Sequence, residues 1–319
     1  MSEPHDIDGV LIQWGDRLFY PGNRIVRTRP QPKLGALAAR QRAAALRERI
    51  AATVVRRAPQ VMVKVTGGGR GMKAIAAHLR YISRGGRLEM EDERGQTMRG
   101  KDALHELADD WRYGGSLIED VSPRREAFNI MLSMPRGTDP LSVQWAAREF
   151  AKAELADHKY VMVLHDHQAN PHVHISVRAE SRHGKRLNPR KTDLHRWRET
   201  FAEKLRERGI DAEATRQATR GATLNHSQLW QVKAAEQGRL LRSPRSGQRR
   251  GATVAASRAE AQRAWQGIGA ALASSGDPND RKLAAAVERF SREMAPSGQR
   301  EPPAQTHGRQ PGPEVDRSR

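Results

Sequence analysis

Apolar and polar residues alternate through 127–135, AFNIMLSMP, with Phe128, Ile130 and Leu132 on one face and Asn129 and Ser133 on the other. A period of two predicts a strand. The same alternation runs from 172 to 177, where Val173, Ile175 and Val177 interleave with His172, His174 and Ser176. VMVKV at 61–65 and YVMVLH at 160–165 read as further strands. Elsewhere the spacing is helical. Met72, Ile75, Leu79 and Ile82 form one stripe, and Leu104, Leu107, Ala108 and Trp111 a second. Leu194, Trp197, Phe201 and Leu205 form a third, and LSVQWAAREFAKAELA at 141–156 is helical by composition. Gly85 and Gly86 close the first helix, while Thr192 and Gly209 bracket the third stripe as N-cap and C-cap.

Hairpins mixed with helices predict an α+β fold, an antiparallel sheet with helices packed on one face. Its other face would carry Asn129, Ser133, His172 and His174, too polar for a core and suited to a substrate. Three zones follow. Residues 1–58 read as a basic N-terminal extension, a short mixed segment before ARQRAAALRERIAATVVRRAP, an Ala/Arg-rich helix with little apolar face. This helix is expected to be appended or poorly ordered. Residues 59–220 are the folded part. Residues 221–319 form a basic C-terminal region. Within it, RLLRSPRSGQRR at 239–250 has no acid and reads as a solvated linker or phosphate-binding tail. Short helices are expected near 257–273 and 279–294, and disorder over the Pro/Gly-rich 296–319.

Charge narrows the partner. The 319 residues carry a formal net charge of +19, and the isoelectric point is near 11.0. This excess points to a polyanion, most simply nucleic acid. A membrane surface is the alternative, but there is no apolar run long enough to span a membrane and no secretory leader pattern. The absence of cysteine excludes disulfides and thiolate metal sites and fits a cytoplasmic location.

The chemistry concentrates in LHDHQANPHVHISVRAE at 164–180. If 160–165 and 172–177 form a hairpin with Asp166 opposite Pro171, His165 lies opposite His172 and diagonal to His174. Three imidazoles then converge with coordination positions left open, the pattern of a catalytic rather than a structural metal site. His167 falls in the turn or on the opposite register and is incidental or supports the site from outside. On the helix at 72–84, Tyr81 lies opposite the apolar stripe, beside Lys73, Arg80 and Arg84. It is either an ordinary exposed tyrosine or a nucleophile whose cationic neighbours favour phenolate and neutralise a phosphate. TGGGRG at 66–71 lacks the Lys-Ser/Thr of a phosphate-binding loop and an acidic ribose partner. It reads as a turn feeding a helix whose first amides meet a DNA phosphate.

These residues describe tyrosine attack on a phosphodiester beside a histidine-held cation. The chain resembles conjugative relaxases of the HUH endonuclease superfamily, in the group that includes plasmid mobilisation nucleases and the T-DNA border endonucleases of tumour-inducing plasmids. KAIAAHLRYISRGGRLE resembles the family's first motif and puts the nucleophile at Tyr81. NIMLSMPRGTDP resembles the second, with Ser133 helping to hold DNA near the scissile phosphate. HDHQANPHVH resembles the third, with His165, His172 and His174 as ligands. TDLHRWRETFAEKLRERGIDAEATRQATRG resembles the helix and loop that follow. The resemblance implies a five-stranded antiparallel sheet and a divalent metal, Mg²⁺ or Mn²⁺. It also implies strand-specific nicking of single-stranded DNA at a transfer origin through a 5′-phosphotyrosyl intermediate. Implied partners are accessory relaxosome proteins, a coupling protein and a type IV secretion system, with translocation of the protein into a recipient cell alongside the DNA. The chain departs from the family at His167, where an acid is common, and at Asn170, where some relatives carry histidine. The base for Tyr81 is open between His78 and Asp166. No helicase domain is apparent, so unwinding is expected from another protein. Alternatives are a rolling-circle replication initiator, whose group usually has histidines before tyrosine, and a non-catalytic, metal-stabilised DNA-binding protein.

Overall fold

Strands β1 (Met62–Gly67), β4 (Ala127–Ser133), β5 (His158–His165) and β6 (His172–Ser181) form where the alternating pattern predicts them. The computed structural model describes residues 7–19, 35–221, 238 and 251–294. Two short strands, β2 (Met90–Asp92) and β3 (Thr97–Met98), extend an open antiparallel sheet of order β1-β4-β6-β5-β2-β3. The sheet therefore has six strands instead of the five implied by the resemblance. Three residues and two residues are too short to show a period in sequence. Pairing of Glu91 with Met162 and Asp92 with Val161 sets β2 in place.

Three further helices follow the apolar stripes: α3 (Met72–Ile82), α4 (Lys101–Tyr113) and α6 (Lys191–Glu207). A fourth, α5 (Pro140–Glu154), starts where the Asp139 side chain accepts the Ser142 amide. Helices α5 and α6 cover one face of the sheet. Phe128, Ile130, Leu132, Val173, Ile175 and Val177 meet Phe150, Trp197 and Phe201 there. Phe150 and Trp197 pack edge to face at 6.0 Å. The start of α6 is Lys191, with Asp193 accepting the Arg190 amide, so its N-cap lies at Arg190 and not at Thr192.

The opposite face is not left open throughout. Val161 and Val163 of β5 and Ala127 of β4 share a core with Met72, Ile75, Leu79 and Ile82 of α3 and Trp111 of α4. Helices thus pack on both faces, because the polar stripe of the sheet stops where β5 turns apolar.

The glycine-rich turn before α3 serves close packing. A Cβ on Gly71, whose φ is +96°, would lie 2.4 Å from the Asp120 carbonyl oxygen. The amides of Met72 and Lys73 donate to the carbonyls of Glu119 and Asp120 at 2.9 and 3.2 Å. The first turn of α3 is therefore already capped, which overturns the expectation that these amides meet a DNA phosphate.

A separate helical core lies beside the sheet. It joins α1 (Ile7–Phe19) and α2 (Ala36–Val54) with α7 (Ala252–Ala273) and α8 (Pro278–Met294) around Phe19, Leu46, Ile50, Trp265 and Phe290. Helix α2 buries Ala43, Leu46, Ile50 and Val54. Its apolar face is narrow in sequence because alanine supplies much of it. The basic run at 239–250 and the residues 296–319 lie outside the described residues.

Candidate active site

The register of the β5–β6 hairpin builds the site. His165 pairs with His172, and His174 pairs with Val163 on one side and Met131 on the other. Side chains directly opposite share a face, so three imidazoles crowd together. Ring centroids are 5.0 Å apart for His165–His172, 4.7 Å for His165–His174 and 5.1 Å for His172–His174. One nitrogen from each ring lies within 4.8 Å of the others. Ser133 pairs with His172 from β4, and its hydroxyl donates to the Pro171 carbonyl at 3.2 Å. That hydrogen bond ties β4 to the end of the hairpin.

Two of the rings are oriented by backbone. A carbonyl only accepts, so His165 donates Nε2–H to Ile82 at 2.7 Å, and its Nδ1 carries the lone pair. His172 donates Nδ1–H to Asn170 at 2.9 Å, leaving Nε2 free. Carbonyl partners of this kind fix tautomers in metal centres. The Nδ1 atoms of His165 and His174 are buried without a hydrogen-bond partner among the described residues. Each such orphan costs about 1–3 kcal/mol. Burial also pushes both rings below the ordinary imidazole value, His174 to about 3, helped by the other two rings. Neutral imidazoles with buried, unused nitrogens fit a divalent cation.

Tyr81 stands over this cluster. It is 72% exposed, on the side of α3 away from its buried stripe. An open cleft of about 370 Å³ is lined by Arg80, Tyr81, Arg84, Arg87, His165, His167, Gln168 and His174. The structure thus brings Tyr81, Arg80 and Arg84 to the histidines. Lys73, exposed two turns earlier on α3, does not line the cleft. His78 has its ring 6.3 Å from Tyr81 and 6.4 Å from His174, with a buried Nε2 that has no partner among the described residues. Asp166 is exposed and outside the cleft lining.

Arg87 is a cleft residue that helical periodicity does not reveal. After α3, Arg84, Gly85 and Gly86 all have positive φ, of 52°, 70° and 84°. This turns the chain back on itself, bringing Arg87 to the cleft and Arg84 onto His167. The visible signal was the Gly-Gly pair. His167, by its contact with Arg84, helps place a cation in the cleft.

Residues 81–210 match the family described as "Relaxase: MobA/VirD2-like, nuclease domain". The match begins at Tyr81 and takes in all three histidines. A T-DNA border endonuclease VirD2 from Agrobacterium fabrum is 27% identical over 184 residues, covering 51% of this chain and 41% of the relative. Another from Rhizobium rhizogenes is 28% identical over 134 residues, covering 37% and 30%. A third from Rhizobium radiobacter is 27% identical over 182 residues, covering 51% and 43%. The chain spans less than half the length of each of these relatives. Over these residues the chain is similar to relaxase nuclease domains and to T-DNA border endonucleases.

Proposed function

From this likeness we propose that the chain nicks one strand of DNA at a transfer origin by tyrosine transesterification. The observation that carries the reading is the cleft in which an exposed tyrosine and three arginines meet His165 and His174 of the three-histidine cluster. In the proposed reaction the Tyr81 phenolic oxygen attacks phosphorus in line. The bond from phosphorus to the 3′ oxygen breaks, and a phosphotyrosyl bond to the 5′ side forms. The phenolic proton leaves Tyr81 and the departing 3′ oxygen ends as a hydroxyl. One bond is exchanged for one, so the reverse attack by that hydroxyl rejoins the strand without ATP.

Arg80, Arg84 and Arg87 would hold phosphate oxygens. Ser133 acts by anchoring β4 to the hairpin end, keeping the rings in register with the strand. His165, His172 and His174 would hold Mg²⁺ or Mn²⁺, which when bound supplies Lewis acidity at the non-bridging oxygens. His78 is the better placed of the two groups considered for the proton of Tyr81. Residues 59–220 are proposed as the nuclease unit between two flanking basic regions. Relaxosome proteins, a coupling protein and a secretion channel are proposed partners, with nicking in the cytoplasm and transfer of the protein with the strand.

The test is denaturing electrophoresis with Mn²⁺ and labelled single-stranded DNA from the candidate origin, with the original chain beside Tyr81→Phe. A protein-linked label is expected with the original chain only. Label linked equally by both, or DNA bound without any covalent product, would reject Tyr81 as the nucleophile.

A further inference from the structure

Beyond the histidine cleft, a second cavity of about 510 Å³ opens where residues 60 and 61, just before β1, meet α6, residues 214–220 and the first turns of α7. Arg198, Arg216, Arg220, Arg258 and His195 line it, and among the described residues no carboxylate does. Like charges gathered in one cavity repel unless an anion enters. Arg198 is half-buried and makes no hydrogen bond or ion pair among the described residues. Burial pushes its guanidinium below the ordinary value. Arg220 is pushed down by burial as well, with its Nε donating to the Thr215 carbonyl at 3.1 Å. His195 adds a buried Nε2 that has no hydrogen-bond partner among the described residues, while its Nδ1 lies 3.8 Å from Glu199. Among the described residues the cavity has donors in excess and no aromatic face on which a base would stack. It suits a phosphate.

Its position suggests which phosphate. Met62, Ser133, His172 and His165 stand in one row across four adjacent strands. The cavity begins at Gln60 and Val61, immediately before that row. From β6 to β1 is two strand spacings, about 10 Å. A strand leaving the histidine cleft across the β1 edge reaches the cavity quickly. We propose that this cavity binds a backbone phosphate of the same DNA strand whose scissile bond lies at Tyr81. The proposal rests on DNA being the substrate of the cleft.

The test uses the full chain carrying Tyr81→Phe, so that no covalent step contributes. Fluorescence anisotropy compares a short oligonucleotide confined to the cleft with one extended on both sides, across a salt series. Adding Arg198→Gln is expected to weaken the extended strand roughly three- to tenfold and to flatten its log–log salt slope by about 0.7. The short strand should lose much less. Arg258→Gln should act in the same direction, and it carries the test if Arg198→Gln melts early. Unchanged affinity and slope for the extended strand in both variants would overturn the proposal. So would stabilisation by inorganic phosphate that depends on Arg198 without any change in strand affinity, which would make this a site for a small phosphate. Loss of all DNA binding by the parent chain would overturn the functional reading as well, whereas a failure confined to the extended strand leaves the cleft reading standing.

Discussion

Each imidazole at the centre of the site has one nitrogen assigned by its surroundings or left bare. Ile82 and Asn170 occupy one nitrogen of His165 and of His172, and burial keeps His165 and His174 neutral. These rings offer their remaining nitrogens to a cation. His172→Ala is expected to lower Mn²⁺ affinity by more than about 100-fold, beyond what losing an outer hydrogen-bond partner costs. Titration calorimetry reads it, and EDTA should stop covalent DNA attachment by the original chain. Unaltered Mn²⁺ binding in His172→Ala would remove the triad as the metal site. Tyr81 differs in kind. Its exposure makes Tyr81→Phe cheap for the fold, so loss of covalent product in that variant reports chemistry and not stability.

Individual elements are held in place by backbone approaches that side-chain patterns do not display. The turn after α3 is the clearest case. Gly86 has φ of +84°, and a Cβ there would lie 2.3 Å from the Gly100 carbonyl oxygen. Gly85 has φ of +70° and open space around it. Gly86→Ala is therefore expected to cost more than about 2 kcal/mol, the left-handed penalty plus a backbone clash, while Gly85→Ala costs about 1 kcal/mol. Chemical denaturation distinguishes them, and equal losses would show that the approach to Gly100 is not rigid. Because Arg84 and Arg87 leave this turn toward the cleft, Gly86→Ala should also weaken DNA binding more than Gly85→Ala. The sheet has its own dependence on pairing. Strand β2 is held to α5 by Glu91, whose carboxylate accepts Arg148 Nη2 at 2.7 Å. Neither partner announces this in sequence, since the two are far apart along the chain.

At the level of the whole molecule, buried ion pairs join the helical core to α6 and the segment that follows it beside the sheet. Arg49 of α2 reaches Glu213 at 3.0 Å and Glu199 of α6 at 3.0 Å. Glu213 is almost fully buried. Removing the cation strands a buried carboxylate, so Arg49→Gln should cost on the order of 3 kcal/mol, read as a lowered melting temperature. A change near zero would mean that Arg206, 3.7 Å from Glu213, compensates. Within the helical core, Arg47 bonds Asp280 at 2.8 and 3.0 Å, and this holds the Asp280 carboxyl below its ordinary value. The folded state then binds fewer protons than the unfolded chain. The stabilisation is full above the ordinary carboxylate value and is lost as pH falls through the lower folded value. Asp280→Asn should remove this part of the acid sensitivity below about pH 4. An identical acid melting profile in the variant would show that other carboxylates set it. Among the described residues no helix is long and apolar enough to cross a membrane.

What could be read from the sequence by itself was whatever repeats within a short window. The period of two placed β4, β5 and β6 and set His165 opposite His172. The helical period placed α3, α4 and α6 with their buried stripes. The same periodicity turned Tyr81 away from the core, and residue type alone pointed to a histidine cluster that could hold a metal ion. Tertiary structure decided what depends on distant partners. The two short strands exist through pairing with β5 and each other. Helices α3 and α4 cover part of the histidine face because Val161 and Val163 interrupt its polarity. The cap on α3 comes from carbonyls at 119 and 120, and Arg87 reaches the cleft only through three successive positive φ angles. The helical core formed by α1, α2, α7 and α8 was hidden for a related reason. Alanine-rich faces bury little area per residue, so their partners become evident only when the two ends of the chain meet.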